Sequence, residues 1–167
     1  MNLDELNNLE EKELVDIFEQ CCSARRWFKL MATSTPFQST RHLEDTARLH
    51  WSVMEQRDHL EAFDGHPKIG DPASLKAKYA ATHSMASNEQ SLVEQASDKT
   101  IVELADFNQR YEDKFGYIFI VCATGKTAEE MLALVKTRLH NPPEQEIQIA
   151  AGEQLKILLI RIQKLLA

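Results

Sequence analysis

The sequence predicts an all-α protein, a single compact domain of short and irregularly packed helices over residues 1–167. Apolar residues recur at three- and four-residue intervals through most of the chain, which is the spacing of one helix face. Only five glycines and five prolines occur among the 167 residues, too few for a turn-rich β architecture. Hydrophobic residues make up 43% of the chain, enough for one core without disulfide or metal support.

The N-terminal half is expected to form three helices. Ser39 and Thr40 precede the third, and such side chains accept hydrogen bonds from the free amides of a helix start. Asp64-Gly65 then interrupts the pattern. The apolar faces comprise Leu14, Phe18 and Cys21 or Cys22 in the first helix, Trp27, Leu30 and Met31 in the second, and Leu43, Ala47, Trp51 and Met54 in the third, continued by Leu60 and Phe63.

Capping residues divide the next stretch into further helices. Asp71-Pro72 is a typical N-cap and first-turn pair. Ser87 is expected to cap a second helix, and Asp98 a third that ends at Phe115-Gly116, where glycine suits a C-terminal cap.

The apolar run 117–123 has the composition of a strand but no partner strand, so we expect an irregular buried connector with amides available to a ligand. Thr127-x-x-Glu130 is a capping box that opens another helix, and Asn141-Pro142-Pro143 ends it. The last helix carries a wide apolar stripe of Ile147, Ala151, Leu155, Leu158, Leu159, Ile162 and Leu166.

The net charge of −7 disfavours nucleic acid or an anionic membrane as partner. An anionic small substrate would need locally placed cations. The acidic start has no secretory pattern, and the longest apolar run is too short to cross a bilayer, so a cytoplasmic protein is expected. Cys21, Cys22 and Cys122 are expected to be reduced, buried apolar residues.

Metal and nucleotide sites are not predicted. His42, His50 and His59 are too widely spaced to be neighbouring ligands on one helix, and no Cys/His cluster occurs. The segment Gly125-Lys126-Thr127 resembles the end of a phosphate loop, but Ile120 stands where that loop needs its first glycine.

The strongest candidate for chemistry is His66, within Gly65-His66-Pro67. Pro67 disfavours helical geometry at His66, so the imidazole is presented by a tight loop between helices, a common place for an acid or base. Glu89 is expected in a first helical turn, where free amides stabilise a carboxylate. Each residue could instead serve a turn or a helix start. Together they would form an acid/base couple.

In order, these segments resemble the 2-oxo-4-hydroxy-4-carboxy-5-ureidoimidazoline (OHCU) decarboxylase family of urate breakdown. The ordered set, rather than any single motif, is specific. The matching segments are residues 28–36, His66-Pro67-x-Ile69-Gly70, Glu89-Gln90-Ser91, Phe107-Asn108-x-x-Tyr111-x-x-x-Phe115-Gly116-Tyr117-Ile118-Phe119, Arg138-Leu139-x-Asn141 and the last helix with Arg161.

The resemblance implies an all-α enzyme that needs no cofactor or metal and converts the small anionic ureidoimidazoline to (S)-allantoin and carbon dioxide. It implies His66 as the catalytic histidine, Glu89 as its partner carboxylate and Arg161 as the active-site arginine, with Arg138 as the rival. The resemblance and the broad apolar stripe on the last helix suggest a homodimer. The implied substrate-binding residues are Pro67, Ala86, Ser87, Gln90, Ile118, Phe119, Ile120, Val121, Cys122 and Ala123.

The chain departs from the family at Ala86, where members often carry a small hydroxyl side chain; Ser87 is one position later. Two alternatives stay open. Exposed Trp27, Phe37 or Trp51 could form the groove of a helical interaction module. A different cofactor-free lyase or hydrolase could act on a related ureide.

Overall fold

The computed structural model describes residues 1–68, 72–83 and 90–167, with the backbone alone for 78–83 and 90–97. Helices and irregular connections account for these residues, which contain no strand, and this confirms the all-α prediction. The helices are α1 (Leu3–Asn7), α2 (Glu11–Cys21), α3 (Arg25–Ala32), α4 (Thr40–Ser52), α5 (Gln56–Asp64), α6 (Pro72–His83), α7 (Gln90–Phe115), α8 (Ala128–Arg138) and α9 (Pro143–Leu165).

The chain divides into two compact units, and the expectation of one domain stays a prediction. Unit 1 comprises residues 1–66, 120–122 and 147–167, and unit 2 comprises residues 67–119 and 123–146. The core of unit 1 includes the fully buried side chains of Leu6, Phe18, Trp27, Leu43, Phe63, Leu158 and Ile162. That of unit 2 includes Leu75, Ile101, Leu104, Tyr111, Met131 and Val135.

Two features of the N-terminal half differ from the sequence expectation. The short helix α1 was not expected; Asn2 accepts from the Glu5 amide at 2.8 Å and forms a capping box there. The apolar signal after Met54 belongs to a separate helix, α5. Its start is fixed at Glu55, whose amide donates to Asp58 at 2.8 Å.

The idea of an exposed aromatic groove is wrong for unit 1. Trp27, Phe37 and Trp51 are at most 5% exposed. The indole nitrogen of Trp27 donates to the Ala47 carbonyl at 3.1 Å, and that of Trp51 donates to the Ala151 carbonyl at 3.0 Å. These three rings belong to the core of unit 1 and are not exposed to a partner.

The expected helix start at Asp98 is also wrong, because α7 runs unbroken from Gln90 to Phe115. Asp98 is exposed and pairs with Lys76 at 2.8 Å, so its carboxylate does not cap the backbone. An exposed aspartate in a helix interior lowers the stability of the helix by only about half a kcal/mol relative to alanine, which a long packed helix tolerates.

The expected connector and its flanking caps are present. Residues 117–123 are irregular, and Gly116 before them has φ of +83°, a left-handed conformation that favours glycine. Gly125 has φ of +75°, and Thr127 accepts from the Glu130 amide at the start of α8. Segment 125–127 is therefore a turn and a helix cap, as the sequence predicts.

The apolar stripe of α9 is used inside the chain. Ala150, Ala151, Leu158 and Ile162 are buried within unit 1, so the stripe does not support a dimer, which stays a prediction. Among the described residues, no helix is both long and apolar enough to cross a bilayer.

Candidate functional site

His66 follows directly on the last turn of α5. The Gly65 amide donates to the Ala62 carbonyl at 3.3 Å, and the His66 amide donates to the Phe63 carbonyl at 3.2 Å. The backbone of this loop is thus tied to a helix whose Phe63 is fully buried. His66 itself is half-buried.

Gly65 serves the loop by close approach rather than by an unusual backbone angle. Its φ is −72°, which any residue can adopt. A Cβ built on Gly65 would lie 1.9 Å from Ser23 Oγ and 2.5 Å from Ser23 Cβ. The short segment between α2 and α3 therefore fits against the His66 loop only if residue 65 has no side chain.

Gly65→Ala is expected to destabilise the protein by roughly 1–3 kcal/mol and to displace His66, because Ser23 Cβ cannot rotate out of the way. Thermal unfolding would measure this. The double variant Gly65→Ala/Ser23→Gly should recover stability, since it removes the clashing Cβ. Gly152→Ala, whose added Cβ meets open space in α9, should stabilise by about 1 kcal/mol. Equal effects of the two alanines would contradict the close-approach explanation.

The His66 ring contacts a buried amide on α9. His66 Nε2 lies 2.6 Å from Gln154 Oε1. The Gln154 side chain is 0% exposed, and within the described residues its Nε2 has no hydrogen-bond partner. A loop imidazole is therefore held by a core glutamine that the sequence pattern alone did not predict.

The neighbouring residue on α9 holds the connector. Glu153 Oε1 accepts from the Cys122 amide at 3.3 Å, and Glu153 also pairs with Lys156. The Cys122 amide is therefore engaged, contrary to the expectation of free connector amides. Ile120 and Cys122 are buried, while Val121 between them is half-buried.

Arg161 lies on the same helix. Its Nη1 donates to the carbonyls of Gln20 at 3.4 Å and Cys21 at 3.1 Å, where α2 ends. A cation is favoured at the C-terminus of a helix, so Arg161 has a structural role there. In the described part of the chain these carbonyls are its hydrogen-bond partners, which leaves Nε and Nη2 without one.

Helix α9 carries both Arg161 and the glutamine that contacts His66. Gln154 and Arg161 are seven residues apart, which is two turns, so they lie on one face about 10 Å apart along the axis. Glu153 adjoins Gln154 and holds the connector. Helix α9 thus carries the Gln154 amide and the Arg161 guanidinium, and it contacts the His66 imidazole and the connector.

Several of the predicted site residues are not part of the contacts described above for His66 and α9 in unit 1. Glu89, Ala86 and Ser87 lie outside the described residues, and Gln90 is described by its backbone alone, as the first residue of α7. Pro67 is exposed in unit 2. Ile118, Phe119 and Ala123, also in unit 2, are half-buried.

The rival arginine, Arg138, is held in a buried cluster of unit 2. Its Nε lies 2.5 Å from Oε1 of Glu146, which is 0% exposed. The Tyr111 hydroxyl donates to the same oxygen at 2.9 Å, and Asn141 donates to Oε2 at 3.0 Å. Burial raises the pKa of Tyr111, which keeps its hydroxyl protonated as a donor. The guanidinium also lies over the Phe119 ring, 4.5 Å from its centroid.

The thiols are suited to packing rather than nucleophilic chemistry. Cys21, Cys22 and Cys122 are buried, as expected. Burial raises the pKa of Cys21 to about 11 and that of Cys22 to about 12, so both are protonated near neutral pH.

The other histidines of the N-terminal half have local roles. His50 Nε2 lies 2.8 Å from Ser34 Oγ, and His59 packs on Trp51. Burial lowers the pKa of both imidazoles, which favours their neutral forms. His42 accepts from the Gln38 amide at 3.1 Å.

Gln154 was missed although the sequence contained a signal for it. It occupies a position on the apolar stripe of α9, between Ala151 and Leu158, where the neighbouring inward residues are apolar. A polar residue on such a stripe needs a partner. The half-exposed Leu155 was assigned to the stripe in its place.

Comparison with known proteins gives one consistent result. A family model described as OHCU decarboxylase matches residues 7–163. The chain is 36% identical over 150 residues to the uric acid degradation bifunctional protein TTL of Arabidopsis thaliana, covering 90% of this chain and 46% of that protein. It is 26% identical to 2-oxo-4-hydroxy-4-carboxy-5-ureidoimidazoline decarboxylase of Amia calva, covering 99% of this chain and 95% of that one.

Solved structures agree. A crystal structure of OHCU decarboxylase in the presence of (S)-allantoin superposes with a TM-score of 0.72 at 35% identity, covering 95% of this chain and 99% of that one. The chain spans less than half the length of the bifunctional Arabidopsis and Bacillus relatives that it matches. Because the family model covers nearly every residue, the chain belongs to the OHCU decarboxylase family.

Proposed function

We propose that this chain decarboxylates 2-oxo-4-hydroxy-4-carboxy-5-ureidoimidazoline to (S)-allantoin and carbon dioxide in urate breakdown. The observation that carries the proposal is His66, presented half-buried by a fixed loop and held on α9, in a chain that belongs to this family. The related crystal structure prepared with (S)-allantoin supports this product.

The substrate supplies its own electron sink. Its carboxylate is on a ring carbon that bears a hydroxyl and adjoins a C=N bond. When the bond to the carboxylate breaks, its electron pair moves toward that C=N bond and carbon dioxide leaves. One proton is then taken up overall, and adding it to one face of the ring sets the configuration. The protein must orient the carboxylate, stabilise the enol-like intermediate and direct the proton.

His66 is the proposed proton-transfer residue. Histidine is the side chain that most readily both gives and accepts a proton near neutral pH. Glu89 is proposed to hold or tune the imidazole, as the family resemblance implies. The resemblance likewise supports substrate contacts from Pro67, from Gln90, and from connector amides other than that of Cys122, which Glu153 occupies.

Arg161 is the proposed counter-charge for the substrate anion. It shares a helix face with Gln154, which contacts His66, and its Nε and Nη2 are not used by the described residues. Arg138 is a poorer candidate because Glu146 already neutralises its charge inside unit 2. An acidic protein needs such a local cation to bind an anion.

The direct test generates the unstable intermediate from urate in situ and follows (S)-allantoin by circular dichroism. The protein is expected to accelerate appearance of the (S)-enantiomer over the spontaneous reaction, which has no stereochemical control. If related ureides are converted and this intermediate is not, the chain is a different cofactor-free lyase or hydrolase.

Arg161→Gln is expected to lower kcat/KM by roughly 10- to 100-fold, the range for losing one charged hydrogen bond. Glutamine can still donate to the Gln20 and Cys21 carbonyls, so the melting temperature should change little. Arg41→Gln, at an exposed pair with Asp45, is the matched control. A lower melting temperature with unchanged kcat/KM would make Arg161 purely structural.

A cytoplasmic location and a homodimer complete the proposal. Both rest on the family to which the chain belongs. Light scattering of the purified chain would determine its oligomeric state.

A further inference from the structure

Gln154 is an unusual core residue. It is 0% exposed inside unit 1, with Ala150, Ala151 and Leu158 of the same helix also buried. Burying an amide costs free energy unless its donors and acceptors are satisfied. Its carbonyl faces His66 at 2.6 Å, yet its Nε2 has no hydrogen-bond partner in the described part of the chain. Core packing alone would favour leucine or methionine here.

The contact constrains the state of the imidazole. A carbonyl oxygen only accepts, so His66 Nε2 must carry a hydrogen. Both the neutral Nε2–H ring and the imidazolium have that hydrogen. An amide NH2 in the same place would meet the imidazolium donor to donor. Only the acceptor is compatible with a histidine that alternates between its two protonation states.

We propose that Gln154 is a positioning residue for His66: its carbonyl fixes the ring through Nε2–H, so that Nδ1 exchanges the proton with the substrate and the Glu89 carboxylate tunes the ring through its charge. The inference rests on the proposed function. As imidazolium, His66 gives the Nδ1 proton to the ring carbon and becomes the neutral Nε2–H tautomer, and solvent then restores the proton. The hydrogen bond to Gln154 persists through both states.

The first test measures the tautomer of the wild-type protein. We expect nitrogen-15 correlation spectra of its histidine rings to show His66 in the Nε2–H form at a pH where the ring is neutral. The His66 signals are assigned by comparison with the His66→Asn variant. A neutral ring protonated at Nδ1 would overturn the inference. This measurement needs no substrate, so it is independent of the proposed reaction.

The second test separates positioning from packing. Gln154→Met keeps length and burial but removes the amide, so the melting temperature should equal or exceed that of the wild type. We expect kcat to fall roughly 10- to 100-fold as the ring loses its fixed orientation. A purely structural role predicts the opposite, lower stability with unchanged kcat.

The control is Gln163→Met on the same helix, where the exposed glutamine only donates to Glu44 at 3.0 Å. It should leave kcat unchanged. If the wild type is active and Gln154→Met retains its kcat, the role of Gln154 is refuted while the function stands. If the wild type forms no (S)-allantoin, the proposed function fails. The tautomer measurement then still shows whether His66 Nε2–H donates to Gln154.

Discussion

Replacing His66 by asparagine is expected to lower the rate of (S)-allantoin formation by roughly 100- to 10,000-fold, the contribution of a positioned general acid or base. Asparagine can keep a hydrogen bond to Gln154, but its amide does not exchange a proton near neutral pH. His66 is half-buried and lies just after the C-terminal end of α5, so the fold should persist in the variant. Circular dichroism of product formed from in situ intermediate measures the rate.

His140→Asn is the matched control, because His140 is exposed just after α8. It should retain the wild-type rate and melting temperature. A folded His66→Asn protein that forms (S)-allantoin at the wild-type rate would remove His66 from the chemistry. The spontaneous reaction must be subtracted, since it sets the lower limit of measurable loss.

Local signals predicted much of the fold because they act within a few residues. The capping box at Thr127 and the left-handed glycine at Gly116 depend only on nearby backbone amides and carbonyls. The irregular connector was predictable for a related reason, since a single apolar run has no strand to pair with. These elements set the end of α7 and the start of α8 without knowledge of distant residues.

The errors arose where distant residues decide. Asp98 is a residue type that often caps a helix, but it lies in the interior of α7, where its exposed carboxylate pairs with Lys76 of α6. Trp27 and Trp51 could be core or surface by spacing alone; both are buried, and their indole nitrogens donate to carbonyls of α4 and α9 elsewhere in the chain. Tertiary packing overrides a local preference of this size.

The candidate site divides in the same way. His66 could be selected from its loop sequence, whereas Gln154 required the contact across 88 residues to be seen. Similarly, Arg138 and Arg161 have equivalent sequence contexts. Only the buried Glu146 beside Arg138 distinguishes them, because it shows which guanidinium already has its charge neutralised.

Glu146→Ala is expected to produce the largest loss of stability, roughly 3–5 kcal/mol, because it leaves the Arg138 guanidinium buried without its counter-charge. Tyr111 and Asn141 lose an acceptor at the same time. For a chain of this length the melting temperature should fall on the order of 10 °C. Chemical denaturation with urea would give the free energy of unfolding.

The origin of that loss can be isolated with two further variants. Glu144→Ala is the matched control, since Glu144 is exposed in the first turn of α9 and should change stability by less than about 0.5 kcal/mol. The double variant Arg138→Met/Glu146→Leu should be more stable than Glu146→Ala, because a buried pair replaced by apolar residues leaves no unpaired charge. If the double variant is no better, the loss comes from the Tyr111 and Asn141 hydrogen bonds instead. Recovery would establish Arg138 as a structural residue of unit 2, which strengthens the case for Arg161 as the cation that binds the substrate.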